Sequence, residues 1–267
     1  MRFQLTLIPS TPASALPANY QYPLSGAIYK IIQQADEKYS AFLHDTGYKL
    51  NSGKSFKLFS FSELKVPYRI QGDRFVLNGA PATLTIGFHI DEAAGNFIKG
   101  LFKNQQIEIA DKISGARFSV NEVQLLKDIL ATINKDPAEM MLQPISPLVV
   151  GRKNERGNYD FLSPADPDFA EWLIFGWLEK YKAIRNEADT ENLKSQISVQ
   201  LVTPITQIKS RLITIKAFTP QQTKIRGFTN FRLKIKAPKP LLELALNAGM
   251  GLYTAMGCGC VTLVKVI

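Results

Sequence analysis

The chain has 267 residues, 45% of them hydrophobic and 21% charged, and its 32 Lys+Arg against 23 Asp+Glu give a formal net charge of +9. That length holds one large domain or two small ones, and that balance excludes wholesale disorder because a real core can be buried. There is no run of about 18 apolar residues to cross a membrane, and the opening Met1–Ser10 reaches a proline too early for a signal peptide.

Arg2–Ile8 alternates around Phe3, Leu5 and Leu7, as a half-buried strand does. Leu24–Ala35 carries Leu24, Ala27, Ile28, Ile31, Ile32 and Ala35 at helical spacing. Phe56–Phe61 and Thr83–Ile90 read as strands. Ala93–Phe102 reads as a short helix burying Phe97, Ile98 and Leu101, and Gln106–Ala110 and Arg117–Leu125 as two more strands. The order is close to βαββαβ. Asp136–Pro147, rich in proline, reads as a linker that divides the chain into domains 1–138 and 139–267.

A second pass through the same order follows. Ile145–Val150 is a candidate strand. Asp166 and Pro167 are a helix-start signal, the N-cap and first helical residue. The helix after them places Phe169, Trp172, Leu173, Gly176, Trp177 and Ile184 on one side. Three β-rich runs come next, Ser198–Pro204, Ile208–Ala217 and Thr229–Lys236, then a helix at Pro240–Ala248 and a last strand at Cys260–Ile267. Two such passes predict an α+β protein of two tandem ferredoxin-like units. Cys258 and Cys260 are too close for a structural disulfide, which points to a reduced, cytoplasmic setting.

The charge is not spread evenly. Leu201–Pro240 holds nine cations (Lys209, Arg211, Lys216, Lys224, Arg226, Arg232, Lys234, Lys236, Lys239) and no acid, so the rest of the chain is neutral. Such a stretch suggests a polyanionic partner. Arg232, Lys234 and Lys236 alternate with Phe231, Leu233 and Ile235. On a strand this puts three cations on one face, about 6.6 Å apart, a pitch suited to a nucleic-acid backbone. Lys209/Arg211 and Lys224/Arg226 repeat the two-residue spacing. Downstream, Gly249-Met-Gly251 and Gly257-Cys-Gly259 form a double GxG string between helix and strand. These glycines either let a phosphodiester approach an anion nest of amides, or form a C-cap, a tight turn and a strand packed on another backbone.

Chemistry-bearing residues are few. His89 lies in an apolar strand pattern and reads as structural. His44 ends a helical stretch, where a histidine is favoured by the helix dipole. An imidazole is also the side chain that ordinarily titrates near neutrality, so His44 is the best acid–base candidate. With two separated histidines and a Cys-x-Cys pair, no metal site is expected. No GxxxxGK[ST] loop is present and no cofactor is indicated.

Several motifs are similar to one family. The strand opening Met1-Arg-Phe3, Ser25-Gly-Ala-Ile-Tyr29, Phe42-Leu-His44, Lys57-Leu-Phe-Ser-Phe-Ser62, the glycine string and the strand Cys260–Ile267 resemble, over nearly the whole chain, the CRISPR-associated repeat-RNA endoribonucleases of the RAMP superfamily. The resemblance implies tandem ferredoxin-like domains and metal-free cleavage of precursor repeat RNA, with Tyr29, His44 and Lys57 as catalytic residues. Lys49 and Lys54, in the same glycine-containing loop, are alternatives to Lys57. From the basic stretch and the glycine string, the expected RNA contacts are Lys209, Arg211, Lys224, Arg226, Arg232, Lys234, Lys236, Gly249, Gly251, Gly257 and Gly259.

CRISPR repeat RNA is the implied partner, with an effector complex and a second copy of the chain as further candidates; no membrane partner is implied. The alternative is a non-cleaving RNA-binding subunit on the same superfamily fold. On the cleavage reading the second domain is expected to grip RNA while the first cuts it. The triad carries a geometric condition. One straight helix over 29–44 would hold Tyr29 and His44 about 22 Å apart, so the helix has to break, and Asp36 is placed to cap a second one starting at Glu37.

Overall fold

Alternation in β1 (Arg2–Pro9) is complete: Phe3, Leu5 and Leu7 are buried and the residues between them are half-buried. The computed structural model describes residues 1–185, 190–217 and 219–267. After β1 come β2 (Ala15–Pro17), α1 (Gln21–Ala35), α2 (Glu37–Ala41), β3 (Tyr48–Lys49), β4 (Ser55–Phe56) and β5 (Phe59–Phe61). Then β6 (Tyr68–Gln71), β7 (Arg74–Leu77), β8 (Ala82–Phe88), α3 (Asp91–Lys103), β9 (Gln106–Ala110) and β10 (Gly115–Leu125) complete the first half. Five of these strands form an antiparallel sheet in the order β5-β8-β1-β10-β9. Leu24, Ile28, Ile31 and Ile32 of α1 and Phe97 and Leu101 of α3 bury against it in one core.

The second half runs β11 (Ala138–Pro144), β12 (Val150–Lys153), β13 (Tyr159–Leu162), α4 (Phe169–Lys182), α5 (Thr190–Ser195) and β14 (Ser198–Leu201). It ends with β15 (Lys209–Ile215), β16 (Thr223–Thr229), β17 (Leu233–Ala237), α6 (Lys239–Ala248) and β18 (Val261–Val266). Its antiparallel sheet has the order β14-β17-β11-β18, with β12–β13 and β15–β16 as separate hairpins. The protein is thus a mixed α/β fold of antiparallel sheets. Among the described residues no helix is long and apolar enough to cross a membrane.

Four expectations are corrected. The proline-rich stretch read as a linker holds β11, a central strand, and the strand expected at Ile145–Val150 lies earlier. Pro137 precedes β11 and Pro144 ends it, the positions where a missing N–H costs a strand least. Asp166 does not cap a helix: its Oδ2 accepts from the Ser163 amide at 2.7 Å, and α4 starts at Phe169 after an Asp168 that makes no side-chain cap. The run expected at Thr229–Lys236 begins at Leu233, and an unexpected strand, β16, precedes it.

The two halves meet along Gly249–Gly259. Ser25 Oγ donates to the Ala255 carbonyl at 2.6 Å, and the Glu63 amide donates to the Ile145 carbonyl at 2.8 Å. Gly259 has φ +66°, and a Cβ there would lie 1.9 Å from the Met250 carbonyl oxygen. Beside this seam, the buried Lys180 of α4 donates from Nζ to the Gly249 carbonyl at 2.8 Å and approaches that of Ala248 at 3.4 Å. The helix end favours a cation, but burial pushes Lys180 down to about 7.

Two outcomes are expected from this packing. Gly259→Ala should destabilise the protein by about 2–4 kcal/mol through backbone strain and overlap, a fall in Tm of roughly 4–16 °C by calorimetry; an unchanged Tm would contradict the close approach. Lys180 binds its proton less readily folded than unfolded, so its contribution to stability rises with pH from about 7 towards the ordinary lysine value near 10.4. Denaturation across that window should therefore show a shallower rise in Lys180→Met than in the unaltered chain. Parallel profiles would remove the assignment.

Candidate active site

The break expected at Asp36 is present. Asp36 is extended (φ −151°, ψ 103°), ends α1, and accepts the Tyr39 amide on Oδ1 at 2.9 Å. Ser40 Oγ of α2 then donates to the Tyr29 carbonyl at 3.2 Å, so the chain doubles back on α1. Phe42–Thr46 forms a π turn closed by the Gly47 amide on the Phe42 carbonyl at 2.7 Å, a conformation often found at functional sites. At Gly47, with φ +60°, a Cβ would lie 2.5 Å from the Phe56 carbonyl oxygen and 3.0 Å from Lys57 Cδ. A side chain there would push Lys57 away.

These elements bring Tyr29, His44 and Lys57 to the wall of one cleft of about 1090 Å³. The rings of Tyr29 and His44 meet edge to face with centroids 5.5 Å apart. Phe59 also meets Tyr29 edge to face, with centroids 5.6 Å apart. His44 Nδ1 is 2.7 Å from Asp45 Oδ1, and both side chains are open to solvent. Lys57 Nζ donates to the His44 carbonyl at 2.7 Å. Burial raises the Tyr29 hydroxyl above the ordinary tyrosine value and lowers the Lys57 ammonium below the ordinary lysine value, with Asp45 opposing that shift. Tyr29 is therefore held as a donor and Lys57 is a partly desolvated cation, with His44 exposed beside them.

Lys54 does not join them. Its Nζ lies 5.3 Å from the Phe56 ring centroid and 5.7 Å from that of Phe175, in a different cavity. Lys49 is exposed on β3 and does not line the cleft. His89 also lies outside it, with burial lowering its imidazole to about 4. Asp45 carried a signal that the sequence reading passed over, its adjacency to His44. The cleft is also lined by Asn19, Tyr22, Arg74, Lys112 and Lys216, from segments that share no motif.

The predicted RNA contacts separate. Lys209 and Arg211 share a face of β15 with the buried Ile213 and Ile215, whereas Lys224 and Arg226 of β16 pair with Thr214 and Leu212 on the other face. Arg211 is tied into the seam: it forms an ion pair with Glu63 and donates to the Ala18 carbonyl at 3.0 Å. Phe231, just before β17, and Leu233 and Ile235 on it are buried as expected. Arg232 and Lys236 are exposed, and Lys234 pairs with Glu139 at 3.0 Å.

The glycine string departs from the anion-nest expectation. Gly249, Gly257 and Gly259 are buried. The Gly259 amide donates to the Pro147 carbonyl at 2.8 Å and the Gly257 amide to that of Thr254 at 3.2 Å. A Cβ on Gly257 would lie 2.8 Å from Gln21 and Phe61, and one on Gly249 2.8 Å from Ser60. Gly249 and Gly257 pack closely against the first half, and Gly259 against Met250 within the second. Gly251 is half-buried, and a Cβ there would lie 2.3 Å from the Val149 carbonyl oxygen. Among the described residues no three His, Cys, Asp or Glu side chains gather as a metal site.

Comparison with known proteins is consistent across the chain. A family model described as CRISPR associated protein Cas6, C-terminal, matches residues 131–263. A second, CRISPR-associated protein Cas6, N-terminal, matches residues 15–124. CRISPR-associated endoribonuclease Cas6 1 of Methanocaldococcus jannaschii is 25% identical over 276 residues, covering 99% of this chain and 93% of that protein. The solved structure of a Cas6-related gene from Pyrococcus furiosus has a TM-score of 0.77 at 19% identity, covering 99% of this chain and 98% of the other. An RAMP protein described as binding different RNA substrates has a TM-score of 0.75 at 18% identity, covering 99% and 100%. These two share the fold of this chain over its length.

The corner gives its own prediction. Asp36→Ala removes the cap and should cost about 1 kcal/mol, a fall in Tm of roughly 2–4 °C, while Asp36→Asn, which still accepts from the Tyr39 amide, should lose less. Equal losses would mean that the cap does not hold the corner.

Proposed function

The chain belongs to the Cas6 family, and on that footing we propose that it is an endoribonuclease that cuts precursor CRISPR repeat RNA into guide units. One observation carries the reading: Tyr29, His44 and Lys57, from a helix, a π turn and a loop, line one cleft. The strand orders of both sheets, each with its first strand internal and helices after the first and third, support two ferredoxin-like units, divided near residue 138.

The reaction needs no group beyond side chains. The 2′-hydroxyl of one ribose attacks the adjacent phosphorus, the bond to the 5′-oxygen of the next nucleotide breaks, and the products are a 2′,3′-cyclic phosphate and a 5′-hydroxyl. His44 moves the proton from the attacking to the leaving oxygen. Asp45, 2.7 Å from Nδ1, takes the hydrogen bond at that nitrogen and leaves Nε2 to exchange the proton. Lys57 uses one of its three N–H donors on the His44 carbonyl, and the other two meet the negative charge that grows on the phosphate oxygens. Burial keeps the Tyr29 hydroxyl protonated, so no phenolate is present to act as a base; it orients the 2′-hydroxyl.

Incubation of labelled repeat RNA with the protein in EDTA tests this. Cleavage at one position is expected, blocked by a 2′-deoxy substitution there. His44→Ala should slow it by about 10²–10⁴-fold and Lys57→Ala by about 10²–10³-fold, with RNA affinity retained in both. Binding without cleavage by the unaltered protein would favour the non-cleaving RNA-binding subunit, and cleavage undiminished in His44→Ala would overturn the assigned chemistry.

A further inference from the structure

A second cavity, of about 540 Å³, lies between the tip of the β3–β4 hairpin, the β12–β13 hairpin and α4. Its walls differ from the cleft's. Trp172 and Phe175 project from α4 with ring centroids 5.5 Å apart at 72°, and Tyr159 of β13 also lines it. Helical spacing assigned Trp172 to the core, yet it is only half-buried, and Phe175 keeps 49% of its surface exposed. The two rings in contact give the cavity a joined, partly exposed aromatic surface rather than one isolated apolar residue.

Cations surround these rings. Lys54 and Lys153 line the cavity, whose one carboxylate belongs to Glu179. Glu179 is also 3.7 Å from Lys182. Lys54 sits 5.7 Å from the Phe175 centroid, near the outer limit of about 6 Å for a cation–π contact. That contact is weak and readily exchanged for a charge-assisted hydrogen bond to an anion. Burial also lowers the Lys54 ammonium below its ordinary value, so an anion would relieve a partly desolvated charge.

Aromatic faces flanked by cations, in a space of nucleotide size, are the two requirements for holding single-stranded nucleic acid. We propose that this cavity is a second nucleotide site, which takes one unpaired nucleotide of the RNA with its base on the Trp172–Phe175 pair and its phosphate between Lys54 and Lys153. The inference rests on the cleavage function proposed above and adds a binding site to it. The site is tied to the first through covalent structure: Ser52–Lys54 form its rim, and the same hairpin carries Gly47 at one base and Lys57 at the other. An occupant that steadies the tip also steadies the lysine at the scissile phosphate.

Repeat RNA carrying 4-thiouridine at single positions, crosslinked to the protein and mapped by mass spectrometry, is the direct test. A position away from the cut should attach to the peptide containing Trp172 and Phe175. Fluorescence anisotropy with the same RNA should show about tenfold weaker binding for Phe175→Ala, recovery in Phe175→Trp, and a loss in Lys54→Ala that shrinks as salt rises. Because Phe175 is half exposed, circular dichroism should find these variants folded. If the unaltered protein binds and cleaves the RNA while Phe175→Ala and Lys54→Ala match it and no crosslink reaches α4, the second site is wrong and the cleavage function stands. If the unaltered protein neither binds nor cleaves, the function fails and takes the second site with it.

Discussion

A helix continuing straight from Gln21 through Thr46 would hold Tyr29 and His44 about 22 Å apart; whatever the cleft does depends on the chain turning at Asp36. Three local contacts make the turn: the Asp36 cap on the Tyr39 amide, the Ser40 hydroxyl on the Tyr29 carbonyl, and the Gly47 amide closing the π turn. Each is worth about 1 kcal/mol. The larger force is apolar, because Tyr39 and Leu43 are buried in the first core, and full burial of a leucine contributes roughly 1.5–3 kcal/mol. Packing folds the segment back, and the cap decides at which residue. The exposed His44 and Asp45 are what this arrangement leaves on the solvent side.

The cleft also needs the second half of the chain. Ala255 and Met256, from the segment between the outer glycines, form part of its wall, as do Thr214 and Lys216 of the β15 region. Their position relative to His44 is set by the seam, where Gly257 admits Gln21 and Phe61, and Ser25 holds the Ala255 carbonyl. The glycines thus reach the site indirectly. Gly249 and Gly257 leave room for Ser60, Gln21 and Phe61 of the first half, so that one half completes the wall of the other.

What was legible in the sequence was what depends on neighbours along the chain. The alternation in β1, the Asp36 cap, and the buried row Phe231, Leu233 and Ile235 all follow from period or cap chemistry. What was not legible depends on partners far away. The prolines around β11 look the same whether they bound a linker or a strand, and only pairing with β17 and β18 decides. In β16 Ile225 is buried but Lys224 and Arg226 are exposed, a weak apolar signal for a strand. For the site, local pattern left His44 as a helix-end histidine; family resemblance selected it with Tyr29 and Lys57, and the fold brings the three together. Lys54 and Lys57 look alike in their loop, yet opposite ends of one hairpin send them to different cavities.

The charge surplus shows the same dependence on distant partners. All of the +9 maps to Leu201–Pro240, which suggests one basic surface on the second half. Glu63 takes Arg211 and Glu139 takes Lys234, both acids lying outside that window, while Lys239 donates to the Ile133 carbonyl. Inside the cleft, Arg74 is held by Asp111 at 2.5 Å and Asp73 at 3.3 Å. Lys57, Lys112 and Lys216 line the same cleft with no carboxylate within ion-pair distance among the described residues. Low-dielectric walls focus the field of such cations on what lies between them. Two of the three come from the electrically neutral part of the chain, and one from the basic window. A phosphate beside His44 would therefore sit in a potential raised by both halves, so a clean division in which one half grips and the other cuts does not follow from where the charges fall in the sequence.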